Sequence, residues 1–132
     1  MEFELPIYYK KKGKDVLTGL NDYRNLHYRA KNSLKKKYTK LVELALADKK
    51  YQLYEGVYAM TYTLYYKNPI CDLGNVNSVI DKFTLDALQE HGVVKRDSVK
   101  YCVDIHHKVG GQDKENPRIV IKLTKKRTKK AK

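Results

Sequence analysis

The stretch Tyr51-Gln-Leu-Tyr-Glu-Gly-Val-Tyr-Ala-Met-Thr-Tyr-Thr-Leu-Tyr-Tyr-Lys67 is dominated by Tyr, Val, Thr, Leu and Met. Val57, Ala59, Thr61, Thr63 and Tyr65 alternate with Tyr58, Met60, Tyr62, Leu64 and Tyr66, which is the period-two pattern of a strand with two distinct faces. Aromatic and β-branched side chains fit a pleated, half-buried surface, so a long central strand is expected here. A tyrosine stripe can stack nucleobases. A ring that is apolar in body and polar at its tip also packs well within a sheet, and packing is the reading adopted for these residues.

Downstream, Asn68-Pro69 marks a turn. After Asp72-Leu-Gly-Asn75, the residues Val76, Val79, Ile80, Phe83 and Ala87 share one helical face until Gly92 supplies a stop. Val99, Tyr101, Val103 and Ile105 then alternate with polar residues, Gly110-Gly111 falls in a connection, and Ile119, Ile121 and Leu123 alternate again. These are read as two further strands forming a hairpin. Upstream, Glu2 to Lys10 reads as a first strand at a sheet edge, because Pro6 has no N–H to give a central ladder. Lys11 to Asn25 holds Gly13, Gly19 and Asn21 without a sustained period and reads as a basic loop or a hairpin with a mobile tip. From Leu26 to about Asp48, the residues Leu34, Tyr38, Leu41, Val42, Ala45 and Leu46 fall at helical spacing, with Lys31, Lys35, Lys36, Lys37 and Lys40 largely elsewhere on the wheel. The expected architecture is α+β. A single domain over residues 1–124 carries a mixed or antiparallel sheet with two helices packed on it, followed by a disordered basic tail over residues 125–132.

A chain of 132 residues fits one core. Its 42% hydrophobic and 33% charged residues argue against wholesale disorder. Lys and Arg number 28 against 15 Asp and Glu, a formal charge of +13. Such a surface attracts polyanions and opposes self-association until they are neutralised, so nucleic acid is the leading partner. No N-terminal apolar region precedes the Tyr-Tyr-Lys-Lys-Lys-Gly-Lys run, and no apolar run approaches the ~20 residues of a membrane span. The expectation is a soluble, cytoplasmic protein without a membrane partner. Cys71 and Cys102 lack zinc-site spacing and suit reduced thiols packed in a core.

In so basic a chain, Asp72, Asp81, Asp86 and Asp97 gather around one predicted helix and its flanking turns. Carboxylates held close together repel and take up protons unless a cation holds them, so they are candidate ligands for Mg²⁺. Such an ion activates water and clamps a scissile phosphate. Each residue also has an ordinary reading: Asp72 can cap the helix, Lys82 and Asp86 can pair at i,i+4, and Asp97 can occupy a turn. Asn75, Lys82 and Asp86 lie at offsets of about seven and eleven, on one side of a helix, whereas Asp81 points away from that stripe. His106 and His107 adjoin in a strand and point to opposite faces, which argues against a shared metal. His27 and His91 read as helix-end or surface residues.

The stretch from Asp72 to Val103 resembles the RusA family of Holliday-junction resolvases. That family's motif runs Asp-x-Asp-Asn, then a Lys, Asp-Ala-Leu, Gly and an Asp-Asp pair, and Asp72-Leu-Gly-Asn75, Lys82, Asp86-Ala-Leu88, Gly92 and Asp97 stand in that order. Leu5-Pro6 and the group Asn21, Arg24, Asn25 and Tyr28 resemble, more loosely, the family's opening strand and the loop after it. Gly74 stands at the family's second aspartate, Arg96 at the first of the later pair, and about four extra residues separate Asn75 from Lys82. The resemblance implies a homodimer that cuts branched DNA with Mg²⁺. In it, Asp72, Asp86 and Asp97 are the metal ligands, with Asp81 as a lower-ranked substitute. Asp72, Asp97, Lys82 and Asn75 are the catalytic residues, Lys82 steadying charge on the phosphate and Asn75 orienting a ligand. DNA contact is expected from Asn21, Arg24, Asn25, Lys31, Lys35 and Lys36, and from Lys125, Lys126 and Arg127 of the tail. Two alternatives stay open: a branched-DNA binder of the same fold with weakened or lost cleavage, and a general RNA- or ribosome-associated basic protein.

Overall fold

The computed structural model describes residues 1–47, 56–68, 73–94 and 101–126. The chain folds as α+β. In order, the elements are β1 (Glu2–Pro6), β2 (Tyr8–Lys11), β3 (Lys14–Leu17), α1 (Leu20–Asn25), α2 (Tyr28–Leu46), β4 (Tyr58–Tyr66), α3 (Leu73–Glu90), β5 (Cys102–Gln112) and β6 (Arg118–Lys125). The main sheet has strand order β1-β6-β4-β5, and β2 and β3 form a separate ribbon. β1 is an edge strand, as its proline requires. The first strand nevertheless ends at Pro6, and Tyr8 to Lys11 belong to the ribbon. The ribbon closes through Lys12 and Gly13 at φ 51° and 79°, the paired left-handed conformations that suit the right-handed twist of two strands joined by a two-residue turn. Thr18 N–H then bonds the Ile7 carbonyl at 2.7 Å.

β4 carries the period-two alternation of the Tyr-rich stretch. Tyr58, Met60, Tyr62 and Leu64 are buried on one face, while Thr61 and Thr63 are half-buried on the other. In register with them, Phe3, Leu5, Ile119, Ile121 and Leu123 complete an apolar face. Onto this face pack α2, through Leu34, Tyr38, Val42 and Leu46, and α3, through Val76, Val79, Ile80, Phe83, Ala87 and Leu88. Removing each large aliphatic or aromatic side chain from water contributes roughly 1.5–3 kcal/mol. The α3 helix stops at Gly92, whose φ of 72° lets Val93 N–H reach the Leu88 carbonyl at 2.9 Å and Gly92 N–H the Gln89 carbonyl at 3.1 Å. This is the left-handed helix terminus that glycine favours. Among the described residues no helix is long and apolar enough to cross a membrane.

Three expectations are corrected. β5 and β6 do not form a hairpin: β5 runs parallel to β4 on one side and β6 antiparallel to it on the other. The link between them passes the end of β4, where Asp113 N–H bonds the Tyr66 carbonyl at 2.8 Å. Gly110-Gly111 therefore lies inside β5 and not in a connection. Lys125 and Lys126 are not part of a disordered tail, because Lys125 closes β6 and Lys126 N–H bonds the Val57 carbonyl at 2.9 Å; the rest of the expected tail, residues 127–132, lies outside the described residues. Finally, the segment before α2 contains a helix, α1, too short to show a period.

Tyr38 ties these layers together. Its hydroxyl donates to the Pro6 carbonyl at 2.7 Å and lies 2.8 Å from the Thr18 hydroxyl, while its ring stacks on Phe83 at 5.2 Å. Burial raises its pKa from the ordinary 10.0 to about 12, against a smaller lowering by the Thr18 hydrogen bond. The folded state thus holds the neutral phenol, and its contribution is complete below pH 10 and is lost as pH rises toward 12. Tyr38→Phe is expected to lower stability in urea by about 1–3 kcal/mol at neutral pH, and to flatten the loss of stability between pH 10 and 12; an unchanged alkaline slope would assign that loss to other groups.

Candidate nucleic-acid interface and metal ligands

Phe83 of α3 is nearly fully buried, and its ring has neighbours on two helices. Tyr38 of α2 lies parallel to it, and Tyr23 of α1 meets it edge-on at 5.5 Å and 85°. Tyr23 is only half-buried, and its exposed side attracts cations. Lys31 Nζ of α2 lies 5.4 Å from the ring centroid and Lys82 Nζ of α3 lies 5.9 Å from it. Each ammonium gains roughly 0.5–1 kcal/mol from an exposed ring face. One turn further along α2, Lys35 Nζ stands 3.8 Å from Asp86 Oδ2, which lies one turn beyond Lys82 on α3. With side chains 48% and 30% exposed, this pair contributes about 0–1 kcal/mol. Among the described side chains, two ammonium groups thus lie over one aromatic ring and a third pairs with the Asp86 carboxylate one turn along the same two helices, an arrangement with more positive than negative charge and suited to an anionic ligand.

Lys31, Lys35, Lys82 and Asp86, expected from sequence as DNA, catalytic and metal positions, are therefore brought together. Arg24 and Asn25 follow Tyr23 at the exposed end of α1. Asn21 lies in the first turn of that helix and Asn75 in the first turn of α3. Lys36 is exposed on α2. Lys125 and Lys126 sit with the sheet, beside the start of β4, and not with the helical cluster. Asp72, Asp97 and Arg127 lie outside the described residues. Tyr23 has no signature in the sequence. Its short helix carries no apolar period, and Gly19, which caps it, supplies no side-chain cap bond that would mark a helix start.

Asp81 faces the other way, as the helical offsets require. It accepts a hydrogen bond from the Tyr62 hydroxyl of β4. Burial, followed by the Asp81 charge and this hydrogen bond, pushes the Tyr62 phenol well above its ordinary value. His107 stacks on the same tyrosine at 5.5 Å, whereas His106 turns to the opposite face, its Nε2 3.7 Å from Asp104 Oδ2. The two histidines thus diverge. His27 caps α2, its Nδ1 accepting from Arg29 N–H at 3.2 Å, and His91 Nε2 lies 3.4 Å from the Thr39 carbonyl. Cys102 is a buried free thiol.

Among the described residues no three His, Cys, Asp or Glu side chains gather as a metal cluster. The donor set implied by the RusA resemblance is all carboxylate oxygen, the chemistry Mg²⁺ prefers, and that ion needs only one or two carboxylates beside waters and phosphate. Asp86 fits such a role: it is partly exposed, and its described ionic partner is a lysine at long range. Asp81 fits it poorly, since the Tyr62 hydroxyl already holds it toward the sheet. A scan against protein-family models and a search of curated proteins find no match for this chain.

The Tyr62–Asp81 bond joins α3 to the central strand and should behave as one structural unit. A double-mutant cycle with Tyr62→Phe and Asp81→Ala is expected to give a coupling of about 1.5–3 kcal/mol in chemical denaturation, the range for hydrogen bonds to charged groups. Additive losses would show that the contact contributes nothing of its own.

Proposed function

We propose that this chain is a Mg²⁺-dependent endonuclease acting on branched DNA of the Holliday-junction type. The observation that carries the reading is the meeting of Lys31 and Lys82 at the Tyr23 ring, with Lys35 and Asp86 paired one turn along the same two helices. Residues named for DNA contact, phosphate chemistry and metal binding come from separate helices and share one place. The chain's +13 charge supports it, since lysines that neutralise phosphates release condensed counterions and so bind DNA without reading its sequence. The Asp72 to Asp97 motif supports the catalytic half.

On this reading Lys31 and Lys35, with Arg24, Asn25 and Lys36 along the exposed side of α1 and α2, hold phosphates of the junction arms. Lys82 stands where an ammonium can offset charge on the phosphate under attack. Asp72, Asp86 and Asp97 would hold Mg²⁺, with Asn75 orienting one of these ligands. When bound, such an ion lowers the pKa of water and screens the phosphodiester. Asp86 keeps its carboxylate available near Lys82, and the Tyr23 ring keeps Lys31 and Lys82 in place before DNA arrives.

A second reading has its own support. Gly74 and Arg96 occupy two positions where the resembled family has aspartate, and Asp86 faces Lys35. A junction-selective binder that no longer cuts would keep the cationic face and lose the ion.

Incubating the protein with a synthetic four-way junction, a linear duplex and an RNA hairpin, with and without Mg²⁺, separates the readings. Cleavage of the junction alone, and only with Mg²⁺, is expected; binding without cutting selects the second reading, and equal binding of all three nucleic acids removes both. Asp72→Asn should abolish cutting while junction affinity stays. The pair Lys31→Ala and Lys35→Ala should weaken binding to every duplex and lower the slope of log affinity against log salt by about 2; an unchanged slope would take the α2 lysines out of the interface.

A further inference from the structure

β5 is the longest strand of the sheet and its outermost on one side, and no described strand pairs with its outer edge. Exposed edges of this length invite another strand, because a row of N–H and C=O groups stands unpaired. Its side chains are also unusual for an edge: Val103, Ile105 and Val109 are 50%, 41% and 58% exposed. By register, Ile105, His107 and Val109 stand beside Met60, Tyr62 and Leu64. They continue the same apolar face toward the sheet edge, where Ile105 and Val109 are exposed although Met60, Tyr62 and Leu64 beside them are buried. The regular part of β5 runs between ladder irregularities near Val103 and Gly110.

The sequence of this edge is self-complementary. When two copies pair antiparallel about a two-fold axis at His106, Asp104 stands opposite Lys108, Ile105 opposite His107 and Val103 opposite Val109, with His106 beside its own copy. Neighbouring axes lose this match. An axis at His107 puts His106 against Lys108 and Asp104 against Gly110; one midway between His106 and His107 puts Asp104 against Val109. The preferred register therefore gives two opposite-charge pairs and two valine pairs, each of a kind that stabilises cross-strand contact. The charge balance matters for a chain of +13: copies that repel elsewhere meet here across a neutral strip, because one aspartate and one lysine come from each side. Two-fold contacts of this isologous type are the commonest route to a dimer.

We infer that the outer edge of β5 is the interface between two copies of this chain, joined antiparallel about His106 so that the two sheets run on as one. The inference does not rest on the nuclease reading, and its test needs no DNA. Sedimentation equilibrium in DNA-free buffer at neutral pH should show a dimer; a monomer at tens of micromolar protein overturns the inference. Asp104→Lys and Lys108→Asp each place like charges opposite one another twice and are expected to weaken the dimer at least about tenfold. Both side chains are exposed, so circular dichroism should show folded chains. An equimolar mixture of the two variants should recover a heterodimer, and the double variant Asp104→Lys/Lys108→Asp a homodimer. A dimer indifferent to either substitution, or a mixture that does not recover, would place the interface elsewhere.

Discussion

The burial of Phe83 between Tyr38 and Tyr23 governs how the helical layer is built. An aromatic ring gains most when its faces and edge are both covered, and the stacked and edge-on contacts here satisfy both. One side chain thereby fixes α1, α2 and α3 relative to each other, and through the Tyr38 hydroxyl it also fixes them to the end of β1. The cationic cluster is a consequence. Lys31 and Lys82 reach the same ring because Phe83 has already brought that ring to the seam between their helices. Lys35 and Asp86 follow one turn along each helix. No residue of the cluster needs to supply the energy that assembles it, so these side chains are free to be chosen for charge.

The sheet imposes a second constraint. β4 is hydrogen-bonded on both sides, so β5 and β6 cannot touch, and the chain must cross the sheet through α3 to place β5 parallel to β4. Parallel strands require such a crossover. α2 packs over β1 and α3 over β4 and part of β5, and toward the outer edge of β5 the side chains of Val103, Ile105 and Val109 stay exposed. Tyr65 sits at this end of the sheet, between the Arg118 guanidinium at 4.2 Å and Gly110, where a Cβ would meet the Tyr65 ring at 2.6 Å. Glycine at that position is a packing requirement of the strand and not a turn signal, which is why the Gly-Gly pair misleads when read from sequence.

What was legible in the sequence is what rests on periodicity. The two faces of β4, the apolar stripes of α2 and α3, the stop at Gly92 and the outward divergence of His106 and His107 all follow from offsets along one element. Pairing between elements was not legible. Two alternating strands joined by a short glycine-containing link read as a hairpin, and nothing local records that β4, much earlier in the chain, lies between them. The site divides along the same line. Lys82 and Asp86 on one side of α3, and Asp81 on the other, could be derived from helical geometry; their meeting with Lys31, Lys35 and Tyr23 depends on contacts between three helices and has no local signature.

The position of Asp86 has a physical consequence for how an anionic ligand would be received. In the free protein Lys31, Lys35 and Lys82 repel one another, and the site is held by two weak attractions, the Tyr23 ring and the Asp86 carboxylate. A phosphate arriving beside Lys35 competes with Asp86 for the same ammonium, and because the existing contact is long and open to water, giving it up costs about 0–1 kcal/mol. The released carboxylate then stands next to a phosphate, and the repulsion between the two is offset by the ammonium groups of Lys31 and Lys82 or by a bound cation. On the reading proposed above, Asp86 would be among the residues that hold the ion, and the ion's charge would favour a phosphate beside that carboxylate.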